Sequence, residues 1–141
     1  MSSHADVFVA GVSLEDPGPS GVGVVLKIDN AEESTYSHAL GLSSKEATLC
    51  KAVETGLMSA YLVGASTVDI YVPTQRIADI LREQVRGNNL WMNALELLSS
   101  FDGYVVHPIS EDENSLATTL AYKGAETSKV WMDEIRNTEI E

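Results

Sequence analysis

Short apolar runs open the chain and are separated by residues that favour turns. The β-prone runs occupy residues 6–11, 21–28 and 34–40. Between the first two runs, residues 14–20 hold two prolines and a glycine, which interrupt regular structure. A polar turn at residues 29–33 separates the second run from the third. This pattern predicts three strands that are connected as an antiparallel meander.

The rest of the chain alternates between helical periodicity and short strands. Helical spacing predicts helices over residues 43–63, 75–86, 90–101 and 114–123, and β-prone runs predict strands over residues 67–72 and 103–109. A meander that is followed by βαβ units predicts an α/β protein. We therefore expect a five-stranded mixed sheet with helices on both faces.

The helix that is predicted over residues 43–63 has the most regular pattern. Ser43 and Glu46 match the S-x-x-E capping box that begins many helices. Cys50, Val53 and Leu57 follow Glu46 at helical spacing, so these side chains share one face. Cys50 is expected to be a small buried apolar side chain.

Length and charge limit the classes of function. The 141 residues suffice for one core, and we predict a domain over residues 1–124 and a charged tail with a short helix over residues 125–141. The net charge of −12 opposes strong nonspecific binding to nucleic-acid backbones. One cysteine and three histidines exclude an intramolecular disulfide and leave little for a zinc site. No apolar run approaches about 18 residues, so we expect a cytoplasmic protein that does not enter a membrane.

Five short motifs stand at the joints between the predicted elements. They are F-V-A-G-V-S at residues 8–13, P-G-P-S-G-V-G at 17–23, L-G-L-S-S-K-E-A at 40–47, I-Y-V-P-T-Q at 70–75, and E-N-S-L-A-T-T-L-A at 113–121. In this order they resemble F-x-D-G-x-S, N-P-G-P-x-G-x-G, L-x-x-T-N-N-x-A-E, I-Y-S-D-S-Q and E-N-x-x-A-D-x-L-A of type 1 ribonuclease H. The resemblance covers about residues 5–124 and implies the ribonuclease H-like fold.

The resemblance also implies a specific chemistry, which can be checked against the residues present. The family hydrolyses the RNA strand of an RNA–DNA hybrid with two Mg²⁺ ions that four carboxylates hold. In this chain the four positions fall on Ala10, Glu46, Pro73 and Thr118. Three of the four ligands are therefore replaced by side chains that are not acidic.

Nearby carboxylates are not expected to replace these ligands. Asp6 lies four residues before Ala10, and Asp69 lies four before Pro73, which is about 13 Å along a strand. We therefore predict that the metal centre is lost and that no cofactor is bound, with Mg²⁺ or Mn²⁺ entering only if residual nuclease activity exists. Glu46 is either a remnant of the active site or a helix cap, and the capping box favours the cap.

Polar and cationic residues at the same joints are candidates for nucleic-acid binding: Ser13, Ser44, Lys45, Gln75 and Arg76. Arg82 and Arg86 follow Arg76 on one predicted helix, which is the spacing of a phosphate-contacting stripe. Carboxylates interleave with these arginines, however, and favour a solvated, self-paired face. His107, near the end of a strand, is expected to be a packed side chain.

Two functions of different classes follow. The first is a catalytically inactive ribonuclease H-like module that binds a protein partner or itself. The alternative is a nucleic-acid-binding protein or a weak RNA–DNA hybrid endonuclease with a rearranged metal site. Trp131 and Ile135 form an apolar ridge in the tail, and two helical turns are unstable alone, so we predict that this ridge packs against the body or a neighbouring copy.

Overall fold

The computed structural model describes residues 3–29, 31, 33–84 and 89–140. Its elements, in chain order, are β1 (His4–Ser13), β2 (Gly18–Ile28), β3 (Ser34–Ser43), α1 (Lys45–Leu62), β4 (Thr67–Val72), α2 (Gln75–Glu83), α3 (Met92–Ser99), β5 (Gly103–Pro108) and α4 (Ser115–Ile140). Short 3₁₀ turns at Asn89–Trp91 and Asp112–Asn114 precede α3 and α4.

The five strands form one mixed sheet in the order β3-β2-β1-β4-β5. The pairs β1–β2 and β2–β3 are antiparallel, whereas β1–β4 and β4–β5 are parallel. This arrangement confirms the predicted meander followed by βαβ units.

Alternation along β1 divides the core between the two faces of the sheet. Val7 and Val9 are fully buried in the main core, where they lie against Gly56 of α1. Phe8 and Ala10 point to the other face and belong to a smaller cluster with α4. Helices thus cover both faces, as predicted. Among the strands, α4 packs mainly against β1, β2 and β3, so this helix does not cover the same face of β4 and β5.

A glycine in β2 allows α4 to approach the sheet closely. A Cβ atom on Gly23 would lie 2.0 Å from the carbonyl oxygen of Ala117 in α4. Because real side-chain atoms do not come so close, any larger residue would push the helix away from the strand.

The strand β2 begins earlier than predicted. Residues 18–20 are paired with β3, although they contain a proline that was expected to interrupt the strand. Pro19 is tolerated because it stands next to the start of β2, where a missing N–H costs little. Its carbonyl oxygen accepts a hydrogen bond from the Leu14 N–H at 2.9 Å, which closes the preceding loop.

The predicted capping box at the start of α1 is wrong by one residue. The N-cap is Ser44, whose hydroxyl accepts a hydrogen bond from the Ala47 N–H at 3.1 Å. Ser43 instead ends β3, where it pairs with Gly18. Glu46 therefore stands one position too early in the helix to reach back to the cap, and its carboxylate has other partners. The predicted apolar face is confirmed, because Cys50 and its neighbours at helical spacing are buried.

The chain does not divide at residue 124. One helix, α4, runs through this position without a break, and Ala125 is fully buried. Ser128 is also buried; its hydroxyl donates to the Ser20 carbonyl oxygen at 2.6 Å and accepts from the Gly41 N–H. The first part of the predicted tail is thus part of the folded domain.

Two predicted helices are shorter than their patterns. The helix α2 ends at Glu83, and Gln84 adopts a left-handed conformation. Val85 and Arg86, which the pattern included, lie outside the described residues. The helix α3 spans only Met92–Ser99 of the predicted residues 90–101, and Trp91 is fully buried in the 3₁₀ turn that precedes it.

Candidate functional site

The four positions that the resemblance marks as metal ligands lie at one edge of the sheet. Ala10 is in β1, and Pro73 directly follows the parallel strand β4. Glu46 and Thr118 stand in the first turns of α1 and α4. The side-chain amide of Asn114 joins the start of α4 to this edge, because its Nδ2 atom donates to the carbonyl oxygen of Val9 in β1 at 2.9 Å.

The carboxylate of Glu46 is occupied by two donors. Arg76 in α2 donates through both terminal nitrogens, with the Nη1–Oε1 distance at 2.9 Å. The indole N–H of the buried Trp91 donates to the same Oε1 atom at 3.0 Å. The hydrogen bonds from Arg76, and then that from Trp91, lower the pKa of Glu46 from its ordinary value of 4.5, although partial burial opposes them. Glu46 is thus an ionised partner of Arg76.

The residues at these four positions do not fit two Mg²⁺ ions. Ala10 is only 3% exposed and packs against Ala117 and Ala121 of α4. Pro73 offers no side-chain donor, and Thr118 offers a single hydroxyl. Mg²⁺ requires oxygen ligands, preferably carboxylates, in a nearly octahedral arrangement.

Most of the predicted nucleic-acid contacts have structural roles. The Ser13 hydroxyl lies 2.8 Å from the Ser20 hydroxyl and 2.9 Å from that of Thr48, and Ser44 caps α1. Gln75 donates to Asp79 on the surface of α2 at 2.8 Å. These hydroxyl and amide groups bond mainly within the chain, in capping and surface networks.

Two of the predicted contacts come together in a shallow cleft. Lys45 and Ser13 line it together with Gly11, and its volume is about 250 Å³. The backbone N–H of Lys45 donates to Asp16 at 3.0 Å, which ties the loop before β2 to the start of α1.

The predicted arginine stripe is engaged within the chain. Arg76 is bound to Glu46, and the guanidinium of Arg82 donates twice to the carbonyl oxygen of Val106 in β5. Arg86, the third member, lies outside the described residues.

A cluster of histidines and aspartates lies on the face of β1, β4 and β5 that α4 leaves open. This cluster was not predicted from the sequence. Asp6 and Asp69 are direct register partners in β1 and β4. His4 Nε2 lies 2.8 Å from Asp69 Oδ2 and 3.6 Å from Asp6 Oδ1. His107 Nε2 lies 2.9 Å from Asp69 Oδ1. His107 is thus not merely a packed side chain, and we call these four residues the His/Asp cluster.

Aromatic rings border this cluster. Tyr71 stacks between Phe8 and His107, with ring centroids 4.3 Å and 4.7 Å away. Burial, followed by the nearby charge of Asp6, raises the pKa of Tyr71. The signal in the sequence was the alternation H-x-D at residues 4–6 and D-x-Y at residues 69–71, which places each pair on one strand face.

A larger groove lies elsewhere, between β3, α1 and α3. Its volume is about 690 Å³, and its lining includes Tyr36, Lys51, Met58, Leu62 and Leu97. The last part of α4 is a second exposed surface, because Trp131 and Ile135 are 51% and 60% exposed. The predicted ridge therefore does not bury itself against the body of the chain.

No protein-family model and no curated protein matches the chain. Solved structures do match. The RNase H1 of the halophilic archaeon Halobacterium salinarum has 21% identity and a TM-score of 0.80, and the match covers 88% of this chain and 98% of that one.

Two further structures are similar. An N-terminal RNase H domain from Mycobacterium tuberculosis has 18% identity and a TM-score of 0.85, with coverage of 93% and 99%. LC11-RNase H1, solved in complex with an RNA/DNA hybrid, has 15% identity and a TM-score of 0.77, with coverage of 88% and 98%. No helix in the described part of the chain is long and apolar enough to cross a membrane. The architecture and these matches together show that the chain has the ribonuclease H-like fold.

Proposed function

We propose that this chain is a ribonuclease H-like binding module without nuclease activity. The observation that carries this proposal is the contact of Glu46 with Arg76 and Trp91. The one carboxylate that remains at the four ligand positions is neutralised by an arginine and is not available to share a metal ion. Ala10, which packs against α4, stands at a second of the four ligand positions and offers no ligand atom there.

The experiment is a cleavage assay on a labelled RNA–DNA hybrid with Mg²⁺ or Mn²⁺ at two salt concentrations. We expect no turnover above that of a buffer blank for the wild-type chain. Arg76→Met frees the Glu46 carboxylate and serves as the matched variant, for which we also expect no turnover. Cleavage by the wild type that disappears in Glu46→Ala would overturn the proposal.

The partner that we propose is a second copy of this chain. The buried stripe of α4 that includes Ala121, Ala125 and Ser128 continues at helical spacing into Met132 and Ile135. Beyond Ser128, the side chains of Val130, Trp131 and Ile135 are exposed, and that of Met132 is only partly buried. An isolated helix end of this length gains little from its own hydrogen bonds, so packing against a partner would stabilise it.

Charge also favours this surface for self-association. The chain as a whole carries −12, but Lys129 and Arg136 balance Asp133 and Glu134 around Trp131. Two copies that meet over residues 129–136 bring together a locally balanced surface, although residues 125–141 as a whole carry five acids against two bases. A half-exposed Trp is also a common anchor at interfaces.

Sedimentation velocity tests this surface. We expect the wild type to sediment as a dimer at micromolar concentration and Trp131→Ser with Ile135→Ser to sediment as a monomer. Leu62→Ser with Val63→Ser removes equally exposed apolar side chains from the end of α1 and should leave the dimer intact. A monomeric wild type, or a dimer that survives the substitutions in α4, contradicts self-association through α4.

A second candidate function, binding of nucleic acid, rests on the cleft that Ser13 and Lys45 line. The chain would then bind the same RNA–DNA hybrid at low salt. Loss of this binding in Lys45→Glu, but not in Lys51→Glu, would favour this second function. We place it second because Arg76 and Arg82 are engaged within the chain.

A further inference from the structure

The His/Asp cluster brings two carboxylates and two imidazole rings together on one face of the sheet. Asp6 and Asp69 face each other across β1 and β4, where like charges repel. Among the described residues, no lysine or arginine nitrogen lies within 4.0 Å of either carboxylate, and the ion-pair partners are histidines. A neutral imidazole offers a nitrogen lone pair but no balancing charge.

The donor atoms are arranged closely enough for one ion. One nitrogen of His4 and one oxygen each of Asp6 and Asp69 all lie within 4.8 Å of one another. Bond lengths of about 2.0–2.2 Å in a tetrahedral zinc site imply ligand atoms about 3.4 Å apart. The observed distances of 2.8 Å and 3.6 Å from His4 Nε2 lie on either side of that value.

The surroundings hold these ligands in place. The backbone of His4 bonds twice to Asp29, since its N–H donates to Asp29 Oδ1 at 3.0 Å and its carbonyl accepts from the Asp29 N–H at 2.8 Å. The other ring nitrogen, Nδ1, lies 2.8 Å from the Thr67 hydroxyl. A proton on Nδ1 that is donated to Thr67 leaves Nε2 free to bind a metal. His107 fixes the other oxygen of Asp69, since its Nε2 atom lies 2.9 Å from Asp69 Oδ1.

We propose that His4, Asp6 and Asp69 bind a divalent transition-metal ion of the zinc class, with His107 positioning Asp69. The site is distinct from the edge that holds Glu46. All of its ligands come from one chain, so metal binding does not require the chain to dimerise. A nitrogen ligand beside two carboxylates selects Zn²⁺ or Co²⁺ over Mg²⁺, which prefers oxygen ligands alone. This proposal departs from the expectation that one cysteine and three histidines leave little for a zinc site, because aspartates supply the remaining ligands here.

The test is calorimetric titration of tag-free, chelator-treated full-length protein with ZnSO₄. We expect one Zn²⁺ per chain and a rise in melting temperature when the ion is present. We also expect Co²⁺ to give a visible absorption band that Zn²⁺ displaces and that millimolar Mg²⁺ does not. These readouts do not depend on nuclease activity, so failure of the metal site and failure of the proposed function are separable.

Substitutions identify the ligands. His4→Gln and Asp6→Asn should each weaken Zn²⁺ binding at least tenfold, and His107→Gln should weaken it about 10- to 100-fold. His38→Gln and Asp102→Asn, at exposed positions outside the cluster, are matched controls and should bind like the wild type. Circular dichroism of the metal-free variants verifies that they fold. No stoichiometric binding by the wild type, or equal affinity in His4→Gln and Asp6→Asn, overturns the proposal.

Discussion

The guanidinium of Arg76 binds both carboxylate oxygens of Glu46, although the two residues are 30 positions apart and belong to different helices. This ion pair joins the start of α2 to the start of α1 at the sheet edge. It also changes the interpretation of Glu46, which the S-x-x-E pattern presented as a helix cap.

Replacement of Glu46 separates its charge from its role as an acceptor. Glu46→Gln removes the ion pair but keeps an acceptor for Trp91, so we expect a loss of about 0.5–1 kcal/mol in the free energy of unfolding, because the pair is partly exposed. Glu46→Leu also leaves the indole N–H of the buried Trp91 without an acceptor, which should cost about 1–3 kcal/mol more. Urea unfolding measures both losses in unfolding free energy, and Glu126→Gln on the surface of α4 is the control. Equal losses in the two variants would contradict a role for the Trp91 bond.

The same ion pair predicts a dependence of stability on pH. The pKa of Glu46 is lowered in the folded chain, so its contribution is fully present above its ordinary value of 4.5 and is lost as the pH falls through the lowered value. We expect the difference in unfolding free energy between wild type and Arg76→Met to be constant near neutral pH and to shrink below about pH 4.5. Urea titrations at several pH values test this, and a difference that grows on acidification would be inconsistent with it.

Introducing an acid at Ala10 should damage the fold and should not produce cleavage of an RNA–DNA hybrid. Ala10 is buried against Ala117 and Ala121, so Ala10→Asp places a carboxylate in an apolar contact. We expect a loss on the order of 3 kcal/mol. Thr118→Asp, at a half-buried position, should change stability by less than about 1 kcal/mol. We also expect no cleavage of an RNA–DNA hybrid by the variant that combines Ala10→Asp with Thr118→Asp, because Pro73 still offers no ligand. Turnover by this double variant would mean that Pro73 does not occupy a ligand position.

The close contact between β2 and α4 predicts a difference between two glycines. Gly23→Ala would place its Cβ 2.0 Å from the Ala117 carbonyl oxygen, whereas a Cβ on Gly103 meets nothing closer than 3.7 Å. We expect Gly23→Ala to destabilise the chain by about 3 kcal/mol or more, since α4 must move, and Gly103→Ala to be nearly neutral. Thermal unfolding of the pair measures this, and similar melting temperatures would show that α4 adjusts freely.

The single cysteine should be unreactive in the folded chain. Burial, followed by the charge of Glu54, raises the pKa of Cys50 to about 12, and its thiol donates to the Leu90 carbonyl oxygen. Because the thiolate is the reactive form, we expect a thiol reagent at pH 8 to label Cys50 only after urea unfolding. Cys50→Ala sets the background. Rapid labelling of the native chain would indicate that α1 opens locally.

A deletion that tests the helix α4 must be placed according to the structure. Truncation after Gly124, the boundary that composition suggested, would remove Ala125 and Ser128 from the core and destabilise the domain. A chain that ends after Lys129 keeps both contacts and loses Trp131 and Ile135. We expect this shorter chain to unfold cooperatively and to sediment as a monomer.

The order of strands and helices, the apolar face of α1 and the absence of acids at Ala10, Pro73 and Thr118 are all evident from the sequence. Alternation along a strand and periodicity along a helix are local properties, and a missing carboxylate is visible without coordinates. The N-cap of α1 was misplaced by one residue because Ser43 and Ser44 both suit a cap, and the pairing of Ser43 with β2 decides between them.

Only the tertiary structure decided which distant side chains meet. Asp6 and Asp69 appeared as two isolated acids, each too far along its own strand to replace a lost ligand. The parallel pairing of β1 with β4 makes them direct neighbours and brings His4 and His107 to the same carboxylate. The donors to Glu46 were likewise set by the tertiary structure, which brings Arg76 at the start of α2 and Trp91 in the 3₁₀ turn to its carboxylate. Contacts of this kind depend on strand register and helix packing, which local patterns do not encode.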